Sequence, residues 1–367
     1  MTETEACIAL NMVPNLGPVW LRRLMEAFGT PQDILRTRAG QLSQVSGIGP
    51  ELGEAIARWE ERVDLPAELI RIRDFGAKVI TKESPLYPRQ LREIHNPPIV
   101  LHVWGDLQER DHHSVSVVGS RKTSHYGLEC AKKLSYQLAY AGLTVVSGLA
   151  RGIDTAAHQA ALAAQGRTIA VIGSGLMDLY PAENLGLAEK IAAAGAVVSE
   201  YPMTFPPSPQ TFPYRNRIVA GWSTGILVVE AGLSSGALIT ANQAIDQGRL
   251  VYAVPGPIDR PSAAGSNRLI QQGAKLVMSA GDILDDFQSL LPQKRTEPAK
   301  KNEAAEKPGI SPEEQAILEV LSSEEASIDS IVTKTGLPAP KVSSTLLALE
   351  MKRLARQLPG QRFVKPS

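Results

Sequence analysis

Of five cations in the middle of this 367-residue chain, three stand beside glycine and serine and two beside an aromatic run. Arg121 and Lys122 follow Gly119-Ser120. Arg151 sits in the run Ser147, Gly148, Leu149, Ala150, Arg151, Gly152. Arg215 and Arg217 flank Asn216 in TFPYRNR (211–217). Two further glycine loops carry no cation: Gly173 and Gly175 in GSGLMDLYPAEN (173–184), and Ser235-Gly236 in EAGLSSGALITA (230–241). Glycine lets the backbone approach a ligand with no Cβ in the way. N–H groups at a helix N-terminus favour an anion, and arginine forks grip phosphate oxygens. Phe212, next to two arginines, adds a ring for base stacking while the cations hold a nucleic-acid backbone. Taken singly, each glycine loop reads more readily as a tight strand-to-helix turn, and Phe212-Pro213 equally well as a hydrophobic staple. Their convergence is what points to an anion site, with one arginine expected to pair instead with Glu200, Glu230 or Asp154.

Other chemistries lack their residues. Neither G-x-G-x-x-G nor G-x-x-x-x-G-K-[ST] is present, and no acidic residue follows the first glycine loop at the ribose-contact distance, so a dinucleotide cofactor is not expected. No H-E-x-x-H and no Cys-His cluster suggests a metal. His158, four residues after Asp154, has no nucleophile placed with it, and His112-His113 lack a third ligand. The expectation is therefore of no catalytic residue, metal or cofactor.

The elements that must position these loops are legible between 114 and 290. Apolar runs at 114–119, 143–149, 167–173, 196–201, 225–230, 249–254 and 275–279 alternate with helical patterns at 125–141, 154–165, 184–194, 213–222, 236–247, 266–273 and 280–290. Strands without polar alternation are buried on both faces. Strands alternating with helices predict an extended Rossmann-like α/β fold, a doubly wound and mostly parallel sheet with ligands outside the strands' carboxyl ends. The five cations and the glycine loops all fall just after those strands.

The flanks differ. Residues 1–80 read as a helical domain of helix-hairpin-helix or SAM-like type, with NLGPVWLRRLMEAF (15–28) echoed by GIGPELGEAIARW (47–59). No basic residue adjoins either Gly-Pro turn, so a phosphate role there is weakly supported. The sheet domain is expected over 81–290, and a charged, Pro-containing linker over 291–310. Residues 311–367 read as a winged helix: three helices, then a hairpin turning at Pro359-Gly360. Residues 311–330 hold six acidic and no basic residues, whereas 334–367 hold seven basic and one acidic. That places Lys341, Lys352, Arg353, Arg356 and Arg362 as candidate duplex-DNA contacts. Lys+Arg and Asp+Glu both number 38, so bulk charge does not argue for nucleic acid. Two distant cysteines, no signal-peptide pattern and no apolar run of about 18 residues point to the cytoplasm and away from a membrane.

VVGSRKTSHYG, VVSGLARGIDTAAH, TIAVIGSGLMDLYPAEN, SEYPMTFPPSPQTFPYRNRIVAG, VVEAGLSSGALITANQA and VPGPIDRPSAAGSNRLIQQGA occur in the order and spacing of the bacterial DNA processing protein A family (DprA, also called Smf), which this chain resembles. The resemblance spans the sheet domain, and the flanking modules fit it. It implies a cytoplasmic, homodimeric, non-enzymatic protein that binds single-stranded DNA and loads the RecA recombinase onto it during natural transformation. It puts Arg121, the Ser147–Gly152 loop and the F-P-x-R-N-R segment in the DNA pocket. Met177 before Asp178, Ala237, and Thr204 depart from the family pattern. Two other functions compete: a LOG-type nucleoside-monophosphate phosphoribohydrolase, although Glu230 precedes its glycines and no P-G-G is present, and a winged-helix transcription regulator.

Overall fold

The computed structural model describes residues 1–287, 312–321, 326–339, 341–342, 345–346, 349, 354–358 and 362–364. The expected linker at 291–310, Lys352, Arg353 and the Pro359-Gly360 turn lie outside the described residues. The chain divides into two compact units, 1–293 and 294–367.

The first unit opens with seven short helices: α1 (Glu3–Met12), α2 (Pro18–Phe28), α3 (Pro31–Arg36), α4 (Ala39–Leu42), α5 (Pro50–Ala57), α6 (Trp59–Arg62) and α7 (Leu65–Phe75). Both anticipated Gly-Pro turns start helices, Gly17 and Gly49 as N-caps with Pro18 and Pro50 as the first helical residues. Proline suits that position because its missing N–H would have had no partner there. A hairpin follows, β1 (Lys78–Thr81) and β2 (Val100–Gly105), with the one-turn helix α8 (Arg89–Arg92) between them. Then come β3 (Ser114–Val118), α9 (His125–Tyr140), β4 (Thr144–Ser147), α10 (Ile153–Ala163), β5 (Thr168–Val171), α11 (Leu185–Ala194), β6 (Ala196–Ser199), α12 (Thr211–Trp222), β7 (Gly225–Val228), α13 (Gly236–Asp246), β8 (Leu250–Ala253), α14 (Ala264–Gln271), β9 (Lys275–Leu276) and α15 (Gly281–Phe287).

The nine strands form one sheet in the order β1-β2-β6-β5-β4-β3-β7-β8-β9. The seven strands β3 to β9 are parallel, as the apolar runs imply. The hairpin β1–β2, absent from the sequence reading, extends the sheet antiparallel to β6. Every residue of β3 to β7 is buried, which is why those runs carry no polar alternation. Alternate residues serve opposite faces. Val115, Val117 and Val145 pack with Leu134 and Leu138 of α9 and Ala157 of α10. Val118, Val146 and Val171 pack with Ile218 and Trp222 of α12 and Ala241 of α13. Ile8, Leu24, Ile34 and Ile56 of the N-terminal helices share a core with Ala170, Ile172 and Val197 of the sheet. The expected boundary near 80 thus runs through β1 and across a continuous core. Among the described residues, no helix is long and apolar enough to cross a membrane.

In the second unit, α16 (Pro312–Val320), β10 (Ala326–Ser327), α17 (Ile328–Thr335), β11 (Arg356–Leu358) and β12 (Arg362–Val364) surround Ile317, Leu321, Ile331, Leu346, Leu349 and Phe363. Its antiparallel sheet has the order β10-β12-β11. Helices with a terminal hairpin match the winged-helix expectation.

Far from the glycine loops, a buried ion pair ties β5 to the segment before β3. Arg167 donates to both Asp111 carboxylate oxygens at 2.7 and 2.8 Å and to the carbonyls of Ala194 and Asp106. Removing one partner strands the other charge in a medium that solvates it poorly. Arg167→Ala is expected to cost about 3–5 kcal/mol, and Arg167→Met with Asp111→Leu much less, both measured by urea unfolding.

Candidate nucleic-acid interface

The order in which the chain lays down its parallel strands reverses between β3 and β7, and the crevice outside their carboxyl ends holds a cleft of about 860 Å³. After β3 the chain turns at Gly119, where a Cβ would lie 2.5 Å from Ile153 and 3.0 Å from the Glu230 carbonyl. The Ser120 N–H donates to that carbonyl at 2.8 Å, and the Ser120 hydroxyl closes a turn by accepting from the Lys122 N–H. Arg121 and Lys122 are left exposed, with no carboxylate in ion-pairing range among the described residues. The Arg121 guanidinium lies 5.4 Å from the centre of the Phe212 ring.

After β4, the loop is held from beneath by Asp154 of α10, whose carboxylate accepts from the N–H groups of Gly148 (3.1 Å) and Ala150 (3.3 Å). Ser147 and Leu149 are fully buried, the serine bonded to the Val117 carbonyl. Gly152 has φ +78°, and a Cβ there would meet the Ser120 carbonyl at 2.4 Å. Arg151 is exposed and ion-paired to Glu183, a partner not among those expected.

Helix α12 begins at Thr211, two residues earlier than its sequence pattern suggests, so Phe212 and Pro213 belong to its first turn. Phe212 packs over Gly173, where a Cβ would come within 2.9 Å of the ring, and beside Tyr180 with 5.5 Å between ring centres. Arg215 is 4% exposed and lines the cleft. One of its terminal nitrogens donates to the Gly148 carbonyl at 2.7 Å and to the Val171 carbonyl. Its Nε is buried without a partner. Arg217 faces elsewhere: it donates to both Glu200 oxygens at 2.7 and 2.6 Å and to the Asn96 carbonyl. This is the arginine-to-carboxylate pairing anticipated among the five cations. It takes Arg217 out of the cleft.

The main cleft therefore gathers Gly119, Ser120, Arg121, Lys122, Gly148, Ala150, Phe212, Arg215, Asn216, Ser235 and Gly236. Arg151 and Gly173 line a small annex. Ser147, Leu149, Gly152, Gly175 and Arg217 line neither: they are loop supports, Gly175 lying against the Pro202 and Met203 carbonyls. Tyr180, Asp154, Thr240 and Ser262 line the cleft unforeseen. Tyr180 lacked any adjoining cation that would have flagged it.

Burial raises the Asp154 carboxyl to about 6, against the opposing pull of Arg215 and the loop N–H groups. Burial likewise lowers Arg215 to about 10, opposed by Asp154 and reinforced by Arg121. His158 is lowered to about 3 by burial and then by Arg215. Its Nδ1 meets the Thr168 hydroxyl at 2.7 Å, so it forms no dyad with Asp154. Glu230 accepts from the Thr123 hydroxyl and the Ser124 N–H, both at 2.8 Å. Burial raises its carboxyl, but the hydrogen bonds from Ser262, Ser124 and Thr123 outweigh that and hold it below the usual range. A recessed guanidinium with an unpartnered Nε, exposed cations and a cation-covered ring make this cleft suited to an anion that carries aromatic groups.

Comparison with known proteins identifies a family. Residues 78–288 match the family model of DNA recombination-mediator protein A, and residues 298–361 that of the DprA winged helix domain. The Smf protein of Synechocystis is 36% identical over 99% of this chain and 98% of its own length. DprA of Bacillus subtilis is 42% identical over 61% of this chain and 75% of its own. The X-ray structure of DprA from Streptococcus pneumoniae superposes with a TM-score of 0.69 at 36% identity, covering 78% of this chain and 98% of that one. A structure of DNA processing protein A from Helicobacter pylori, described for its single-stranded DNA binding mode, has a TM-score of 0.53 at 27% identity and covers 59% of this chain and 98% of that one. With a family model spanning more than half of its residues and relatives matched almost end to end, the chain belongs to the DNA recombination-mediator protein A family, DprA/Smf.

Proposed function

We propose that this protein binds single-stranded DNA in the β3–β7 cleft without catalysing its breakage, and delivers the strand to a RecA-type recombinase in the cytoplasm during recombination and natural transformation. The observation that carries the reading is the Arg215 guanidinium, buried at the cleft floor with an unsatisfied Nε, below the paired Arg121 and Phe212 at the rim. A phosphate would complete the hydrogen bonding of the one, and a base would stack with the other. The description of the Helicobacter relative supports the choice of ligand. The proposed contacts, a guanidinium on phosphate and a ring on a base face, do not read base edges, so affinity is expected to vary little with sequence. A homodimer is supported by the β9 edge of the sheet, where Leu276 and Met278 are 41% and 77% exposed.

A phosphoribohydrolase is disfavoured because Glu230, the acidic residue that opens the 230–241 glycine loop, is engaged in holding the start of α9. Duplex binding by the winged helix would use Lys341, which is exposed and 3.0 Å from Glu313, together with Arg356 and Arg362 on the hairpin strands.

Arg121→Ala is expected to weaken single-strand binding by about 1–3 kcal/mol with unchanged melting temperature. Phe212→Ala should weaken it by about 1–3 kcal/mol while leaving the salt dependence intact. Gel shift over a salt series with homopolymer and mixed-sequence oligonucleotides tests both, and normal binding by both variants would remove the cleft from the function.

Arg217→Ala should behave differently. Glu200 would be left buried and unpaired, so stability falls by about 3–5 kcal/mol in denaturant titration, and the salt slope of binding stays at its wild-type value.

The cleft should also respond to pH. Asp154 sits beneath Arg215, with neutral His158 beside them, and its carboxyl protonates at about 6. Protonation removes the negative charge that competes with phosphate for Arg215, so strand binding and proton uptake reinforce each other. Affinity is expected to rise as pH falls through about 6, and Asp154→Asn to flatten that rise in anisotropy titrations.

A further inference from the structure

A second cleft, of about 400 Å³, lies on the other side of the first turn of α12. Pro213 and Asn216 line the first cleft, while Tyr214 lines the second. Its other walls are Tyr201 and Phe205 from the loop after β6, and the Val13–Pro18 turn between α1 and α2, the first of the two Gly-Pro turns. Tyr201 and Phe205 are stacked, with ring centres 4.8 Å apart and planes 19° from parallel. Phe205 and Tyr214 are nonetheless 38% and 37% exposed. The carboxylate in the lining, Glu200, is neutralised by Arg217, whose guanidinium also backs the Tyr214 ring at 4.1 Å. Asn11 donates to the Glu200 carbonyl at 2.9 Å and fixes the N-terminal turn against this loop.

We propose that this cleft is a second stacking site, which takes a nucleobase of the same single strand whose backbone lies in the first cleft. The inference rests on the first cleft being the strand site. The occupant follows from three features. The lining places three aromatic rings among apolar residues and offers no free cation, so it suits a base and not a phosphate. The arginine behind Tyr214 makes that ring a fixed platform. The two clefts share the first turn of α12, so they stand about one helix width apart, roughly 10 Å, and a strand leaving one crosses into the other. The Gly-Pro turn of the N-terminal helices then contributes a wall against the base, with no phosphate contact of its own.

The test is fluorescence anisotropy with oligothymidylates of increasing length, using the full chain. Wild type should gain affinity in a step once the oligomer is long enough to span both clefts. Phe205→Ala and Tyr214→Ala should bind short oligomers like wild type and lose about 5- to 100-fold in affinity for long ones. Tyr214→Phe, which keeps the ring, should retain the step. Wild-type binding of long oligomers by Phe205→Ala and Tyr214→Ala, with Phe212→Ala still impaired, would overturn the second site and leave the first standing. An equal loss at every length would also overturn it, because the residues would then act through the first cleft or the fold. If Phe212→Ala and Arg121→Ala bind normally as well, both readings fall together.

Discussion

A guanidinium buried at the ends of two parallel strands governs the arrangement of the cleft. Burying a cation without a bonded carboxylate is costly, so its hydrogens must be met by whatever lies near. Arg215 meets the carbonyls of Gly148 and Val171, which end β4 and β5. A Cβ at residue 148 would stand 2.7 Å from its nitrogens, so any larger residue there would have to displace the guanidinium. Asp154 lies below, too tightly enclosed to be a strong acid, and spends its oxygens on the loop N–H groups. Helix, loop and strand ends are thus locked to one charge that still has a donor to offer.

Much of this was legible in residue type and spacing. The seven apolar runs beginning at 114 become β3 to β9, and in β3 to β7 the cause is plain: strands covered on both faces leave an unbroken apolar signature. The hairpin left no such mark. β1 is four residues long and half exposed, and β2 carries His102, which burial holds down to about 4 inside the sheet. Pairing of β2 with β6 is a long-range matter that no local pattern encodes. The glycine loops were likewise visible, but the division of labour between Arg215 and Arg217 was not. Two residues apart on a helix, they point about 200° away from one another, so only the true phase of α12 decides which one meets the strand ends and which one meets Glu200.

The N-terminal helices were also readable as helices yet not as part of the same body. Their Gly-Pro turns mark starts, and proline at the first helical position confirms them. What spacing could not convey is that Ile8, Leu24 and Ile56 close over Ile172 and Val197. That shared core brings the Val13–Pro18 turn to the loop after β6, where an aromatic cluster would otherwise stand open on one side.

The pairing of β3 with β7 sets Val115 beside Gly225. The chain between them must be made, and its own strands laid down, before that contact can form. During synthesis the half ending at β6 therefore emerges with the edge of β3 unoccupied, an open ladder of amides and carbonyls. Contacts so distant along the chain are slow to close. The cleft is accordingly incomplete until β7 has been made and has paired with β3.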